Sequence, residues 1–171
     1  MPSELQAVFF DAGNTLLVEE PGKHLWEMAL RPIPGALDVL SALKPHYKLG
    51  VISNTVGSGD AELAEALEQA GLRALIDALV TSRDFGKAKP DPAIYAEGAR
   101  RLGVPLPATC MVGDRLDTDI AGALQAGIAG IWLKHPGAIE IAGITPTHVI
   151  TRLAELPAWL EAGYRRPVSP S

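Results

Sequence analysis

Short apolar runs alternate along this chain with stretches in which leucine or alanine returns every three or four residues. The first run, Ala7-Val8-Phe9-Phe10, stops at Asp11 and passes into Ala12-Gly13-Asn14-Thr15-Leu16-Leu17. Four apolar residues without alternation read as a strand buried on both faces, and the polar turn beyond marks its C-terminal end. The same reasoning predicts strands over Tyr47 to Ile52, Ala78 to Thr81, Thr109 to Val112 and Ile128 to Leu133, and a short one over Thr147 to Ile150. Helical spacing predicts helices over Ala36 to Leu43, Asp60 to Ala70, Ala93 to Leu102, Thr118 to Ala126 and Leu153 to Leu160. Pro34 opens the first of these and Pro45 closes it, Gly71 and Gly127 suit the residue after a helix end, and Asp117 suits an N-cap. Leu25 to Leu30 is a short amphipathic piece, and Ser82 to Pro92 is a loop. Residues 165–171, rich in Pro and Ser, have almost nothing to bury and are expected to fray.

Strands alternating with helices at this rhythm predict an α/β fold: one three-layer, Rossmann-like domain over residues 1–164, its mainly parallel sheet covered by helices on both faces. With 171 residues the chain can bury roughly 70% of its unfolded surface and needs no covalent staple. Its one cysteine, Cys110, excludes an internal disulfide and a multi-thiolate zinc site and fits a reducing compartment. The N-terminus lacks a basic segment followed by a long apolar one, so a soluble, cytoplasmic protein with no membrane partner is expected. A net charge of −5 argues against nucleic acid as a partner, because tracking phosphates takes clustered Lys and Arg. A small anionic substrate needs only a few local positive groups.

Candidate chemistry gathers at strand ends, where open α/β sheets bind ligands. Asp11 follows the first strand, Ser53-Asn54-Thr55 the second, Lys89 sits in the loop after the third, and Gly113-Asp114 follows the fourth. Each residue type also has a plain structural use. A strand-end Asp or Ser commonly serves a turn or a helix cap, and Lys87 is as available as Lys89. Taken together, however, Asp-Ala-Gly-Asn-Thr-Leu, Val-Ile-Ser-Asn, Lys-Pro-Asp-Pro-Ala-Ile-Tyr and Val-Gly-Asp-Arg-Leu-Asp-Thr-Asp-Ile resemble, in order, the four motifs of the haloacid dehalogenase superfamily. The resemblance covers nearly the whole chain.

That superfamily is dominated by magnesium-dependent phosphatases working through an aspartyl-phosphate. The resemblance implies Asp11 as nucleophile and Lys89, which directly precedes Pro90, as the cation neutralising nucleophile and substrate. It implies Ser53, with Asn54 beside it, as phosphate contacts. Asp11, the Gly13 carbonyl and Asp114 would serve the Mg2+ site, with Asp119 as an outer partner; an Asp in a first helical turn is also favoured by the macrodipole alone. The chain departs from the family pattern at Gly13, where a second Asp usually acts as general acid and base, a role typically worth about 10²–10⁴ in rate. Three readings follow: a slow or specialised phosphatase assisted by water, Glu19 or Glu20; a silent metal- or phosphate-binding protein; or a dehalogenase or phosphonatase.

Asp11 and Ser53 lie 42 positions apart and Ser53 and Lys89 lie 36 apart, intervals already filled by the expected elements, so no sizeable cap domain is expected. An open site invites a second subunit to cover it. Trp26 and Met28 suit such a rim or the core. His24 and His135, in loops beside strand ends, suit substrate contact or solvent. His46 and His148 receive no role, and Trp132 and Trp159 read as packing.

Overall fold

The computed structural model describes residues 4–163, apart from the side chain of Trp26; the tail expected to fray lies outside the described residues. Six strands form one sheet: β1 (Ala7–Phe10), β2 (Lys48–Ser53), β3 (Ala78–Thr81), β4 (Thr109–Gly113), β5 (Ala129–Leu133) and β6 (His148–Ile150). Their order is β3-β2-β1-β4-β5-β6, and every neighbouring pair is parallel. Helices α1 (Ala36–Leu43), α2 (Asp60–Gln69), α3 (Ser82–Phe85), α4 (Pro92–Leu102), α5 (Ala121–Gln125) and α6 (Leu156–Glu161) cover both faces. The expected α/β architecture is what the chain adopts.

Strand β1 shows why the apolar run is continuous. Val8 and Phe10 enter one core with Leu40, Leu63, Leu67 and Leu156, while Ala7 and Phe9 enter the other with Ile94, Tyr95 and Leu102. Neither face meets water, so neither tolerates a polar residue. In the second core the Phe9 ring wedges between two glycines: a Cβ on Gly50 would approach it to 2.8 Å and one on Gly98 to 2.9 Å. That close approach lets α4 lie directly on β2 and β3.

Register places the chemistry. Phe10 stands opposite Val51 on one side and Val112 on the other, so Asp11, Ser53 and Asp114 all follow within two residues of one level. From β1 the chain proceeds outward to β2 and β3, and β4 to β6 build on the opposite side. The strand order therefore reverses between β1 and β4, where a crevice must open beyond the carboxyl ends. Asp11 and Asp114 flank that crevice.

Several local expectations are corrected. The helix expected from Thr118 begins earlier, as a wide π-helical turn over Leu116–Ile120 that runs into α5, and its N-cap is Arg115, not Asp117. The Tyr95 hydroxyl lies 3.1 Å from the carbonyl of Thr118 and 2.8 Å from that of Asp119, which engages the turn from outside, while Asp119 itself accepts the Arg115 N–H at 3.0 Å. Asp117 instead pairs with the Arg115 guanidinium at 3.2 Å. The loop after β3 contains one helical turn, α3, capped by Thr81. The last helix starts with a 3-10 turn, Leu153–Glu155, and the piece after β1 reduces to the 3-10 turn Leu25–Glu27. No helix among the described residues is long and apolar enough to cross a membrane.

Because the Phe9 ring leaves no room beside Gly50, Gly50→Ala is expected to lower stability by roughly 1–3 kcal/mol through overpacking, read as a lower urea midpoint at unchanged m-value.

Candidate active site

Lys89 is the most constrained charged residue in the crevice. Its ammonium donates to Asp11 Oδ1 at 2.9 Å, to Asp119 Oδ1 at 2.6 Å and to the Ile52 carbonyl at 2.7 Å, and its side chain is 1% exposed. Burial alone would lower its pKa, but the Asp11 and Asp119 carboxylates outweigh burial and raise it above the ordinary lysine value. Lys87, on the exposed part of the same loop, takes no part in the crevice.

The loop is fixed by its main chain. Asn54, just past β2, accepts the Lys89 N–H at 2.8 Å and donates to the Lys89 carbonyl at 2.9 Å. Its amide is thereby occupied by the lysine it holds. Ser53, the last residue of β2, is 6% exposed and lines the crevice beside Asp11. Asp11 itself extends the ladder by one bond, its N–H donating to Val112 at 3.0 Å, so the nucleophile candidate stands on rigid sheet.

Asp114 sits across the switch point. Thr15 Oγ1 lies 3.5 Å from its carboxylate, and Trp132 Nε1 donates to its carbonyl at 2.9 Å, so Trp132 braces the loop as well as packing. Burial first, then the negative charge of Asp11 and Asp119, pushes Asp114 up to about 7. Asp119, wholly buried, is also displaced upward: burial and Asp11 raise it more than Lys89 lowers it.

Asp11, Asp114 and Asp119 each offer one oxygen, and these lie within 4.8 Å of one another. Three carboxylates face one ammonium, an imbalance that a second positive charge would relieve. An all-oxygen donor set in which Lys89 already engages one acid suits a hard divalent cation such as Mg2+, which keeps several waters. Asp11 and Asp114 would hold it, with the Gly13 carbonyl as a further oxygen, and Asp119 is set by its bond to Lys89 to act one step away.

Over these groups lies a cavity of ≈ 280 Å³. Its mouth combines apolar Val18, Met28 and Val56 with basic Lys23, His24 and Arg115. Met28 therefore lines the rim, whereas the Trp26 side chain lies outside the described residues. His135 is not among the lining residues; its Nε2 lies 2.6 Å from the Asn14 carbonyl, tying the loop after β5 to the loop after β1. His148 stacks on Trp159, their centroids 5.1 Å apart. The sequence places Tyr95 within the third motif and Thr55 within the polar cluster after the second strand but gives neither a role; the Thr55 Oγ1 is buried at the cavity wall without a partner among the described residues. The role of Tyr95 rests on bonds to a turn more than twenty positions along the chain, which no local signal shows.

This geometry agrees with comparison to known proteins. The family model for haloacid dehalogenase-like hydrolases matches residues 22–127, and the chain belongs to that family. It is 34% identical over 161 residues to the pyrimidine 5'-nucleotidase YjjG of Escherichia coli (strain K12), across 90% of this chain and 70% of that protein. It is 33% identical over 159 residues to the human N-acylneuraminate-9-phosphatase, across 88% of this chain and 62% of that protein, so this relative is the longer by more than a third. Among solved structures, an uncharacterized protein from Listeria monocytogenes serotype 4b superposes with a TM-score of 0.81 at 26% identity, covering 92% of this chain and 98% of that one. The chain is thus a haloacid dehalogenase-like hydrolase in family and in fold.

Replacing Lys89 tests the buried charge balance. Lys89→Met leaves Asp11 and Asp119 buried without their cation and is expected to cost about 3–5 kcal/mol at neutral pH in chelator. Unpaired buried carboxylates titrate higher in the folded than in the unfolded chain, so their protonated form favours folding and this support is lost as pH rises. The deficit against the unaltered chain should therefore be smaller near pH 5 than near pH 8 in urea titrations.

Proposed function

We propose that this hydrolase is a phosphatase that uses a divalent cation, Mg2+, and forms a transient aspartyl-phosphate on Asp11. The observation that carries this reading is the meeting of Asp11, Lys89 and Asp114 at one crevice, a nucleophile set between a fixed ammonium and a second acid able to share a cation. Phosphoryl transfer asks of a protein mainly positioning and positive charge around the transferring oxygens. Bound Mg2+ would supply part of that charge.

The remaining parts come from the chain. The Lys89 ammonium orients Asp11 through Oδ1, which leaves the other carboxylate oxygen to attack phosphorus. Ser53 lines the cavity, and its hydroxyl would donate to a phosphate oxygen. Asn54 serves by holding Lys89, a positioning role alongside the substrate contact expected of it. The rim, part apolar and part basic, suits a small phosphomonoester with an organic group directed outward.

A phosphatase is preferred over a dehalogenase on two grounds. Relatives more than 30% identical include two that carry the names of phosphate-removing enzymes, a pyrimidine 5'-nucleotidase and an N-acylneuraminate-9-phosphatase. The three-carboxylate cluster would also be a needless cost without a cation. Phosphatase work by this chain fits the cytoplasm, with a small phosphorylated substrate as partner and a second copy as one way to cover the mouth.

Phosphate release from a panel of phosphomonoesters is expected to require Mg2+, to stop in excess chelator, and to fall to background in Asp11→Asn. Acid quenching during turnover should trap phosphate on Asp11, seen by mass spectrometry. Halide release that survives chelation would favour the dehalogenase reading instead. Binding of Mg2+ to the folded chain should add about 2.7 kcal/mol of stability at one hundred times its Kd, an increment expected to disappear in Asp114→Asn.

A further inference from the structure

Displacing an alcohol from phosphorus needs a proton for the departing oxygen, and hydrolysing the acyl phosphate needs a base for the incoming water. Position 13, two residues beyond Asp11, is glycine and supplies neither. The space beside it is occupied by Glu19. A Cβ built on Gly13 would lie 2.8 Å from Glu19 Oε2, 3.3 Å from its Cδ and 3.7 Å from its Cβ. A carboxylate oxygen of an aspartate lies roughly 2.4 Å from its own Cβ, two bonds away. Glu19 thus brings a carboxylate oxygen nearly as close to that point as an aspartate at position 13 would. Gly13 is not among the glycines in the left-handed region, so its backbone does not demand glycine. A side chain there would instead meet the Glu19 carboxylate, which would have to move aside.

The side chain is held in this place. Asn14 Nδ2 donates to Glu19 Oε2 at 3.2 Å, and the Glu19 N–H donates back to Asn14 Oδ1 at 3.1 Å. Asn14 is fixed in turn, with φ at 56°, its N–H donating to Leu17 at 2.7 Å and its carbonyl met by His135. Four carboxylates line the cavity: Asp11, Glu19, Asp114 and Asp119. Asp11 is the nucleophile, Asp119 is bound to Lys89 and the Arg115 N–H, and Asp114 belongs with Asp11 across the switch point. Glu19 alone of the four is committed neither to Lys89 nor to the cluster of acids.

We infer that Glu19, reaching in from the loop after β1, is the proton-transfer residue of this site, in the place that Gly13 leaves open. The inference rests on the aspartyl-phosphate reading of Asp11. In the first half-reaction the Asp11 oxygen bonds to phosphorus as the bond to the ester oxygen breaks, and the Glu19 carboxyl gives that oxygen its proton, releasing an alcohol. In the second, the Glu19 carboxylate takes a proton from water as the water oxygen bonds to phosphorus. The bond from phosphorus to Asp11 breaks, inorganic phosphate leaves, and both side chains return to their starting states.

The test compares the unaltered chain, Glu19→Gln and the double variant Gly13→Asp with Glu19→Ala, all with Mg2+. Two substrates are used: p-nitrophenyl phosphate, whose leaving group needs little protonation, and the alkyl phosphate turned over fastest by the unaltered chain. Glu19→Gln is expected to lose alkyl phosphate turnover by about 10²–10⁴-fold. With p-nitrophenyl phosphate it should form phospho-Asp11 readily and then accumulate it, because the second half-reaction lacks its base. The double variant, in which the new aspartate occupies the vacated space, should recover turnover to within about tenfold of the unaltered chain. Glu19→Gln turnover within about threefold of the unaltered chain on both substrates would overturn the inference. So would an equal loss on both substrates with no accumulation of phospho-Asp11, the mark of a merely structural role. If the unaltered chain neither releases phosphate nor labels at Asp11, the aspartyl-phosphate reading fails and carries this one with it. Unaltered turnover that Glu19→Gln does not change would sink this inference alone.

Discussion

The structure depends on one buried ammonium. Lys89 bonds at once to Asp11 at the end of β1, to Asp119 in the turn after β4 and to the Ile52 carbonyl of β2, and so ties three strand ends together on the sheet's carboxyl side. A buried charge is costly unless paired and fully hydrogen-bonded. Here all three protons of the ammonium have an acceptor, so the arrangement is discrete and not a loose cluster of charges. The setting of Asp11 follows from it, because Lys89 engages Oδ1 and leaves the other carboxylate oxygen free of the lysine.

Much of what surrounds the lysine keeps it in place. Asn54 holds its main chain by two hydrogen bonds, and Tyr95 lies against the carbonyls of the turn that carries Asp119. Trp132 braces the loop bearing Asp114. These residues sit just past β2, on α4 and on β5, so elements on both sides of the switch point contribute to one small constellation. Its acids outnumber its cation, and burial pushes Asp114 and Asp119 upward in consequence. A site with this imbalance is arranged for a positive partner or a proton.

Much of this was legible in the amino-acid order. The apolar run of β1 ending at Asp11, the helix over Ala36–Leu43 and the strand over Ala78–Thr81 have the bounds that periodicity predicts. Hydrophobic period and turn residues are local signals, and these elements obey them. Where a local rule failed, a distant residue had intervened. Asp117 looks like an N-cap, yet the turn is built around the Asp119 carboxylate and the Tyr95 hydroxyl, and Asp117 faces Arg115 instead. His135 looks like a free loop residue beside a strand end, yet its ring meets the Asn14 carbonyl across 121 positions of chain.

What the sequence by itself determined is the order of strands and helices, the fold class they imply, and the set of polar residues delivered to the strand ends. Each of these rests on near neighbours along the chain. The tertiary structure alone decided how those residues share their work: that Lys89 bridges Asp11 and Asp119, that Asn54 holds Lys89, and that Glu19 lies in the space left by a glycine six positions earlier. These are contacts between side chains and segments whose distances are set by register, by the reversal of strand order and by the path of a loop, and no residue carries that information within its own stretch of chain.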